Sequence, residues 1–176
     1  VGSEMCIRDS QHRGQDAAGM VVCEPSGKLN SRKSKGYVRD VFQQNHMNNL
    51  QGNLGIGHVR YPTAGGIGKE FAQPMYVNTP YGISLAHNGN LTNSKKLAAE
   101  LFHAERRHIN TDSDSEVLLN IFALELSKQE AVFPKPKDFF SAVEKTHLRI
   151  NGAYAVVALI TAVSYTHLRA HETSID

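Results

Sequence analysis

The chain has 176 residues, with 19 Lys+Arg against 17 Asp+Glu, a formal net charge of +2 and 40% apolar residues. That length suits one domain or two small ones, the apolar content can build a core, and so small a charge leaves no nucleic-acid footprint without a clustered basic face. The longest near-continuous apolar run, residues 153–163, is too short to span a bilayer, and Cys6 and Cys23 make neither a disulfide framework nor a zinc set.

Residues 1–10 (VGSEMCIRDS) carry no period, cap or turn signal that leads onward, and are expected to be a non-native flank. Residues 18–24 (AGMVVCE) read as a strand, and Pro25-Ser26-Gly27 turns the chain into a polar return strand at 28–35. Val38, Val41, Phe42 and Leu50 fall roughly on one helical face. Residues 53–60 (NLGIGHVR) contain a short strand whose glycines let another backbone approach. Residues 61–76 read as a loop, 83–87 as a strand, and 91–107 as containing a helix with Leu97, Leu101 and Ala104 on one side. Ser113 and Glu116 have the spacing of a capping box ahead of Val117, Leu118, Ile121, Phe122 and Leu126. An amphipathic helix at 139–150 and a buried strand at 153–163 complete the domain, and residues 164–176 are expected to be a second non-native flank. The domain is thereby bounded at 11–163. Hairpins early and helices grouped later favour an α+β fold with antiparallel sheet over a doubly wound parallel one.

Three apparent motifs fail on chemistry. Gly65-Gly66-Ile67-Gly68-Lys69 lacks the first glycine and the hydroxyl residue of a phosphate loop. Asp112, Asp114 and Glu116 alternate like an EF-hand, but Val117 takes the glycine position and Ala123 that of the bidentate glutamate. His167 and His171 have the spacing of a metal pair with no third ligand. No metal is expected in this domain.

Four segments carry polar groups where local structure can present them to a pocket. Arg60, in His58-Val59-Arg60-Tyr61-Pro62-Thr63, can hold a carboxylate through its guanidinium fork or stand solvated at a strand end. In His87-Asn88-Gly89-Asn90, Asn-Gly is a strong type I′ hairpin signal, yet the following residues turn helical instead of returning as a strand. The alternative is an Asn amide and a Gly N–H aimed at one spot, the donor pair of an oxyanion hole. Asp114, in Thr111-Asp112-Ser113-Asp114-Ser115-Glu116, either complements a helix dipole or accepts an ammonium. A cation and an anion together are what an α-amino-acid site needs. The fourth segment, Gln11 to Gly19 (QHRGQDAAG), is a polar turn feeding a strand, with no chemistry legible by itself.

QHRGQDAAG, GIGHVRYPTAG, RRHINT, LAHNGNLTN and TDSDSEVLLN together closely resemble the glutamine-hydrolysing domain of the amidophosphoribosyltransferase family, class II glutamine amidotransferases of purine biosynthesis. The resemblance runs from Gln11 to Val163. It implies an N-terminal-nucleophile hydrolase fold, a four-layer αββα sandwich of two antiparallel sheets. It implies that an N-terminal cysteine thiolate, with its own α-amine as base, attacks the glutamine side-chain amide, releasing ammonia and leaving a thioester whose hydrolysis gives glutamate. Carried onto this sequence, Arg60 binds the glutamine α-carboxylate, Asp114 the α-ammonium, Asn88 and Gly89 form the oxyanion hole, Thr63 is a lesser pocket contact, and Arg13 supports the nucleophile's surroundings. Glutamine is the expected partner. Phosphoribosyl pyrophosphate and magnesium are expected only on a downstream domain that this sequence does not contain. A cytoplasmic homo-oligomer is implied for the parent protein, with no nucleic acid or membrane partner, and an iron–sulfur cluster is left open.

The departures are as informative as the match. Cys6 is not followed by Gly-Ile and cannot supply a free α-amine, and Cys23 reads as a small core residue. The nucleophile and the first strand that bears it are therefore expected to be missing, and this polypeptide alone is expected to be inactive. Rival readings are an amidotransferase forming glucosamine phosphate or asparagine, and a non-catalytic glutamine-binding module.

Overall fold

The computed structural model describes residues 7, 9–61, 68–129, 134–161 and 167–170. The chain forms two compact units, residues 1–75 and 76–176.

In the first unit, β1 (Ala17–Cys23) pairs antiparallel with β2 (Leu29–Lys35) on one side and β3 (Leu54–Arg60) on the other. The hairpin turn between β1 and β2 contains Gly27 at φ 85°. β1 is buried almost throughout, as its apolar sequence dictates, whereas the polar β2 alternates between half-buried and exposed. Ala18, Met20 and Val22 share one face of β1 by the two-residue period of a strand, and they cluster with Val38, Val41, Phe42 and Ile7. Ile7 thus contributes to the core from within the segment expected to be a flank. The helical face expected across Val38 to Leu50 is divided between two short helices, α1 (Val38–Val41) and α2 (Gln44–Met47). Gln43, in extended conformation, separates them and caps the second, while Leu50 packs against the same cluster.

In the second unit the sheet order is β4 (Met75–Val77), β5 (Ile83–Leu91), β6 (Gly152–Ile160) and β7 (His167–Ala170), the unit boundary falling inside β4. β5 and β6 run antiparallel in unbroken register from Ile83↔Ile160 to Leu91↔Gly152. Between them in sequence come α3 (Ser94–His103), α4 (Asp114–Ser127) and α5 (Pro136–His147). α4 packs against α3, α5 and β5, so its apolar residues are needed all around its axis, and Val117 through Leu126 are buried without a break. Proline opens α5 at a position where its missing N–H costs no helical bond. Among the described residues no helix is long and apolar enough to cross a membrane.

Two local expectations are corrected. The run at 153–163 is expected to be buried throughout, but among its described residues only Ala158, Leu159 and Ile160 are. Ala153, Ala155 and Val157 share a strand face and are exposed, so apolar sequence on β6 does not mean cover on both sides. The capping box is half formed: Ser113 accepts the Ser115 N–H, but Glu116 does not fold back onto Ser113. Its carboxylate instead takes the N–H groups of Asn110 and Thr111, at 2.9 and 2.8 Å, and the Thr111 hydroxyl. Thr111 then accepts the Ser113 N–H, so the loop ahead of α4 is tied to the helix through a relay.

Phe139 is fully buried on α5, the helix that packs on α4. Phe139→Ala should therefore cost ~3–5 kcal/mol, read as a lower urea midpoint at unchanged slope. A loss below about 1 kcal/mol would show that the site collapses around the missing ring.

Candidate functional site

Arg60 ends β3 opposite Ala17 in the register with β1. The residue before Ala17 is Asp16, whose backbone N–H donates to the Arg60 carbonyl at 3.0 Å and whose carboxylate ion-pairs with Arg60 Nη1. Both side chains are largely buried, at 8% and 12% exposed, so the arginine is not the solvated strand-end residue that its position also allowed. The guanidinium carbon lies 5.4 Å from the centroid of the Phe71 ring, within cation–π range. The turn ahead of Asp16 presses onto the same strand end. A Cβ at Gly14 would lie 2.6 Å from the Val59 carbonyl carbon and 2.7 Å from that of Arg60, so only glycine fits. Cys23, at the far end of β1, is half-buried, and burial, with the neighbouring Glu24 charge, pushes its thiol up from the ordinary value. That is the opposite of an activated nucleophile. Cys6, Thr63 and the Arg13 side chain lie outside the described residues.

In the second unit, Asn88 and Gly89 do not form a hairpin turn. β5 passes straight through them to Leu91, with Asn88 opposite Ala155 and Gly89 opposite Tyr154. Gly89 adopts φ +146°, and a Cβ there would come within 2.2 Å of the Ala153 carbonyl oxygen. Glycine is compulsory at this point for both reasons. Asn88, Gly89 and Asn90 are exposed although the residues before them, from Ile83 to His87, are buried, so the strand emerges from the core at the Asn-Gly pair.

Asp114 opens α4, where the helix dipole favours a carboxylate, and it also reaches across to the strand. Its Oδ2 accepts the Leu91 N–H at 3.0 Å, two residues past Gly89. Beneath them, His87 Nδ1 and Ser115 Oγ share a hydrogen bond of 2.9 Å, the Ser115 hydroxyl lies 3.4 Å from Asp114 Oδ1, and His87 Nδ1 lies 3.8 Å from it. Burial pushes the His87 imidazole below its ordinary value, with the Asp114 carboxylate partly opposing that shift. A neutral ring in this place braces the carboxylate without cancelling its charge.

Of the residues singled out from sequence, the second unit thus brings Asn88, Gly89 and Asp114 onto one connected strand-and-helix junction, while Arg60 sits in the first unit on Asp16. Asp16, His87 and Ser115 were missed as contributors. The first lay inside a motif with no readable chemistry, and the other two flank the recognised residues. Their only sequence signal was titratable or hydroxyl character next to a candidate, which selects too many residues to be useful. Among the described residues no group of three or more His, Cys, Asp or Glu side chains gathers as a metal set.

A family model described as a glutamine amidotransferase domain matches residues 39–131, just over half the chain. An amidophosphoribosyltransferase of Pseudomonas aeruginosa is 60% identical over 151 residues, covering 86% of this chain and 30% of that protein. One from Escherichia coli is 56% identical over 150 residues, with 85% and 30% covered. A solved structure described as the allosteric regulatory enzyme of purine biosynthesis superposes with a TM-score of 0.75 at 31% identity, covering 90% of this chain and 32% of that one. The glutamine phosphoribosylpyrophosphate amidotransferase of B. subtilis, solved with ADP and GMP, gives a TM-score of 0.71 at 28% identity, again covering 90% and 32%. The chain spans about 30% of the length of these curated relatives.

The His87 environment has a consequence for stability. With its folded value depressed, the ring stays neutral where an unfolded chain already binds a proton, so stability is full above about pH 6.5 and falls as the pH drops below it. Thermal melts from about pH 7.5 to about pH 5 should show this decline, and His87→Asn, which keeps a polar group toward Ser115 but does not titrate, should flatten it. An unaltered pH dependence in that variant would remove His87 as a source.

Proposed function

Since this chain belongs to the glutamine amidotransferase domain family and has the N-terminal-nucleophile hydrolase fold, we propose that it is the glutamine-hydrolysing part of an amidophosphoribosyltransferase. The names of its curated relatives support that member of the family over those forming glucosamine phosphate or asparagine. In this reading the full-length protein supplies the attacking cysteine thiolate and a further domain. There ammonia displaces pyrophosphate from phosphoribosyl pyrophosphate, with magnesium, to give 5-phosphoribosylamine in the first step of purine synthesis.

The roles of this chain's residues follow from their chemistry. The side-chain amide of glutamine becomes tetrahedral when a thiolate attacks its carbon, and its oxygen gains a full negative charge. The Asn88 amide and the Gly89 N–H are assigned as the donors that meet this charge. The Gly89 N–H, held on a strand, needs no reorganisation at the moment of reaction, which is the condition under which such a group lowers a barrier most. Asp114 is assigned to the α-ammonium and Arg60 to the α-carboxylate, the latter through paired N–H groups. The attacking cysteine's own α-amine takes the thiol proton and returns it to the leaving nitrogen, so that collapse of the tetrahedral intermediate expels ammonia and leaves a thioester, which water hydrolyses to glutamate. Thr63 is assigned a lesser contact with the substrate.

The observation that carries the reading is the bond from Leu91 N–H to Asp114. It ties the carboxylate to the strand that bears the donor pair, so that the spacing between an ammonium receptor and an oxyanion receptor is set by one backbone hydrogen bond. Glutamine carries an ammonium and a side-chain amide, the two groups that such a pair of receptors would meet.

Two variants of the full-length protein test this. Asn88→Ala should lower glutaminase turnover by ~10²–10³-fold, and a loss below about threefold would dismiss the donor assignment. Arg60→Lys should raise the glutamine KM by ~10-fold or more, because an ammonium cannot offer two coplanar N–H groups. A KM equal to the parent's would take Arg60 out of the substrate's reach.

A further inference from the structure

A guanidinium on a long flexible stem is a poor receptor for one particular carboxylate until something fixes its plane, since its selectivity comes from presenting paired N–H groups at a set angle. In the first unit two contacts bear on the plane of the Arg60 guanidinium and a third holds its backbone. The Asp16 carboxylate ion-pairs with Nη1, the Phe71 ring faces the guanidinium carbon, and the Asp16 N–H holds the Arg60 carbonyl at 3.0 Å, so that side chain and backbone are gripped by the same residue. Gly14 makes the grip sterically possible, because any larger residue would push the turn off the end of β3. The backbone of Asp16 is anchored in turn, its carbonyl accepting the Gly36 N–H at 2.9 Å.

We infer that Asp16 is the positioning residue for Arg60: its carboxylate sets the plane in which the guanidinium meets the α-carboxylate of glutamine. The inference rests on the substrate role proposed above for Arg60 and deepens it. It also gives the segment from Gln11 to Gly19 a purpose, since that turn is shaped around the end of β3. The electrostatics agree. Asp16 offsets the cost of burying the guanidinium when no substrate is present, and a substrate carboxylate then adds a second anion to a pair that is already neutral. The pair's own charge attraction for that carboxylate is therefore weak, and recognition through Arg60 leans on hydrogen-bond geometry. Loss of the geometry should matter more than gain of a net positive charge.

The test uses the full-length protein and compares L-glutamine with 4-aminobutanamide, the same amide without the α-carboxylate. The quantity read is the ratio of kcat/KM for the two. Asp16→Ala should shrink that ratio by ~10-fold or more, which corresponds to the loss of a charge-assisted hydrogen-bonded contact. Where Asp16→Ala loses its cooperative thermal transition, Asp16→Asn, which keeps the volume of the side chain, serves instead and should shrink the ratio by at least about threefold. In an Arg60→Lys background the same Asp16 substitution should change the ratio by less than about twofold, because the two residues act as one unit. A ratio equal to the parent's, with both substrates slowed alike, would show a general structural role and overturn the inference while leaving the glutaminase reading intact. A parent protein with no glutamine turnover would sink that reading and Asp16's role with it.

Discussion

A single charge-assisted hydrogen bond governs the second unit: Asp114 at the head of α4 accepts the N–H of Leu91 at the tail of β5. Such a bond contributes about 1.5–3 kcal/mol. At this place it does more than stabilise, because β5 emerges from the core just before it. From Asn88 to Asn90 the strand is exposed, pairs with β6 on one side and is tied at its end by the Asp114 bond. The helix dipole lowers the cost of holding the carboxylate there, so the field that favours an acidic residue in the first turn also favours the anion that the strand N–H meets. The electrostatic reading of Asp114 and the functional one are therefore not rivals. The dipole explains why an anion is stable at this position, and the bond to Leu91 explains why it is oriented.

Burying charge requires a partner, and each unit meets that requirement differently. Arg60 has Asp16, an ion pair at the end of a sheet. Glu125, inside the most buried helix of the chain, is met by Arg149 at 2.5 Å and Lys128 at 3.1 Å, while Arg149 also reaches Glu100 at 2.6 Å. Burial alone would raise the Glu125 carboxyl, but these hydrogen bonds and charges outweigh it and hold the group below its ordinary value. That network binds α3, α4 and the turn after α5 to one another, and Asn93 reinforces it by donating to the Arg149 carbonyl at 2.8 Å. Breaking it would strand a charge among apolar side chains, so its contribution is to the rigidity on which Asp114, on the same helix, depends.

The elements were legible where one period dominated. β1, α4 and α5 were placed within a few residues because their apolar spacing or composition is unambiguous. Legibility failed where local signals competed. Asn-Gly carries the strongest hairpin preference of any dipeptide, yet here the pairing with β6 continues across it, and the positive φ that a turn would have used is absorbed inside a strand. Glu116 matched the capping-box spacing but found three closer donors in the loop before it. The apolar composition of β6 promised cover on both faces, which only its last three residues have. A neighbouring strand decided the first case and the adjoining loop the second, while in the third the sheet leaves one face of β6 uncovered.

The candidate site was legible in kind but not in mechanism. Arginine, the Asn-Gly pair and aspartate could be chosen because their functional groups complement an amino acid with a side-chain amide. What holds those groups still could not be chosen, because positioning residues are ordinary polar side chains whose significance is purely relational. Asp16 becomes meaningful only once the register puts Ala17 opposite Arg60, and His87 only once β5 faces Ser115 on α4. Gly89 makes the same point from the other side. Its lack of a side chain is demanded by the Ala153 carbonyl oxygen on the neighbouring strand, a residue 64 positions away in sequence (153 − 89). The requirement therefore comes from the pairing of β5 with β6, and the N–H proposed to act on substrate sits where the sheet has already excluded every other amino acid.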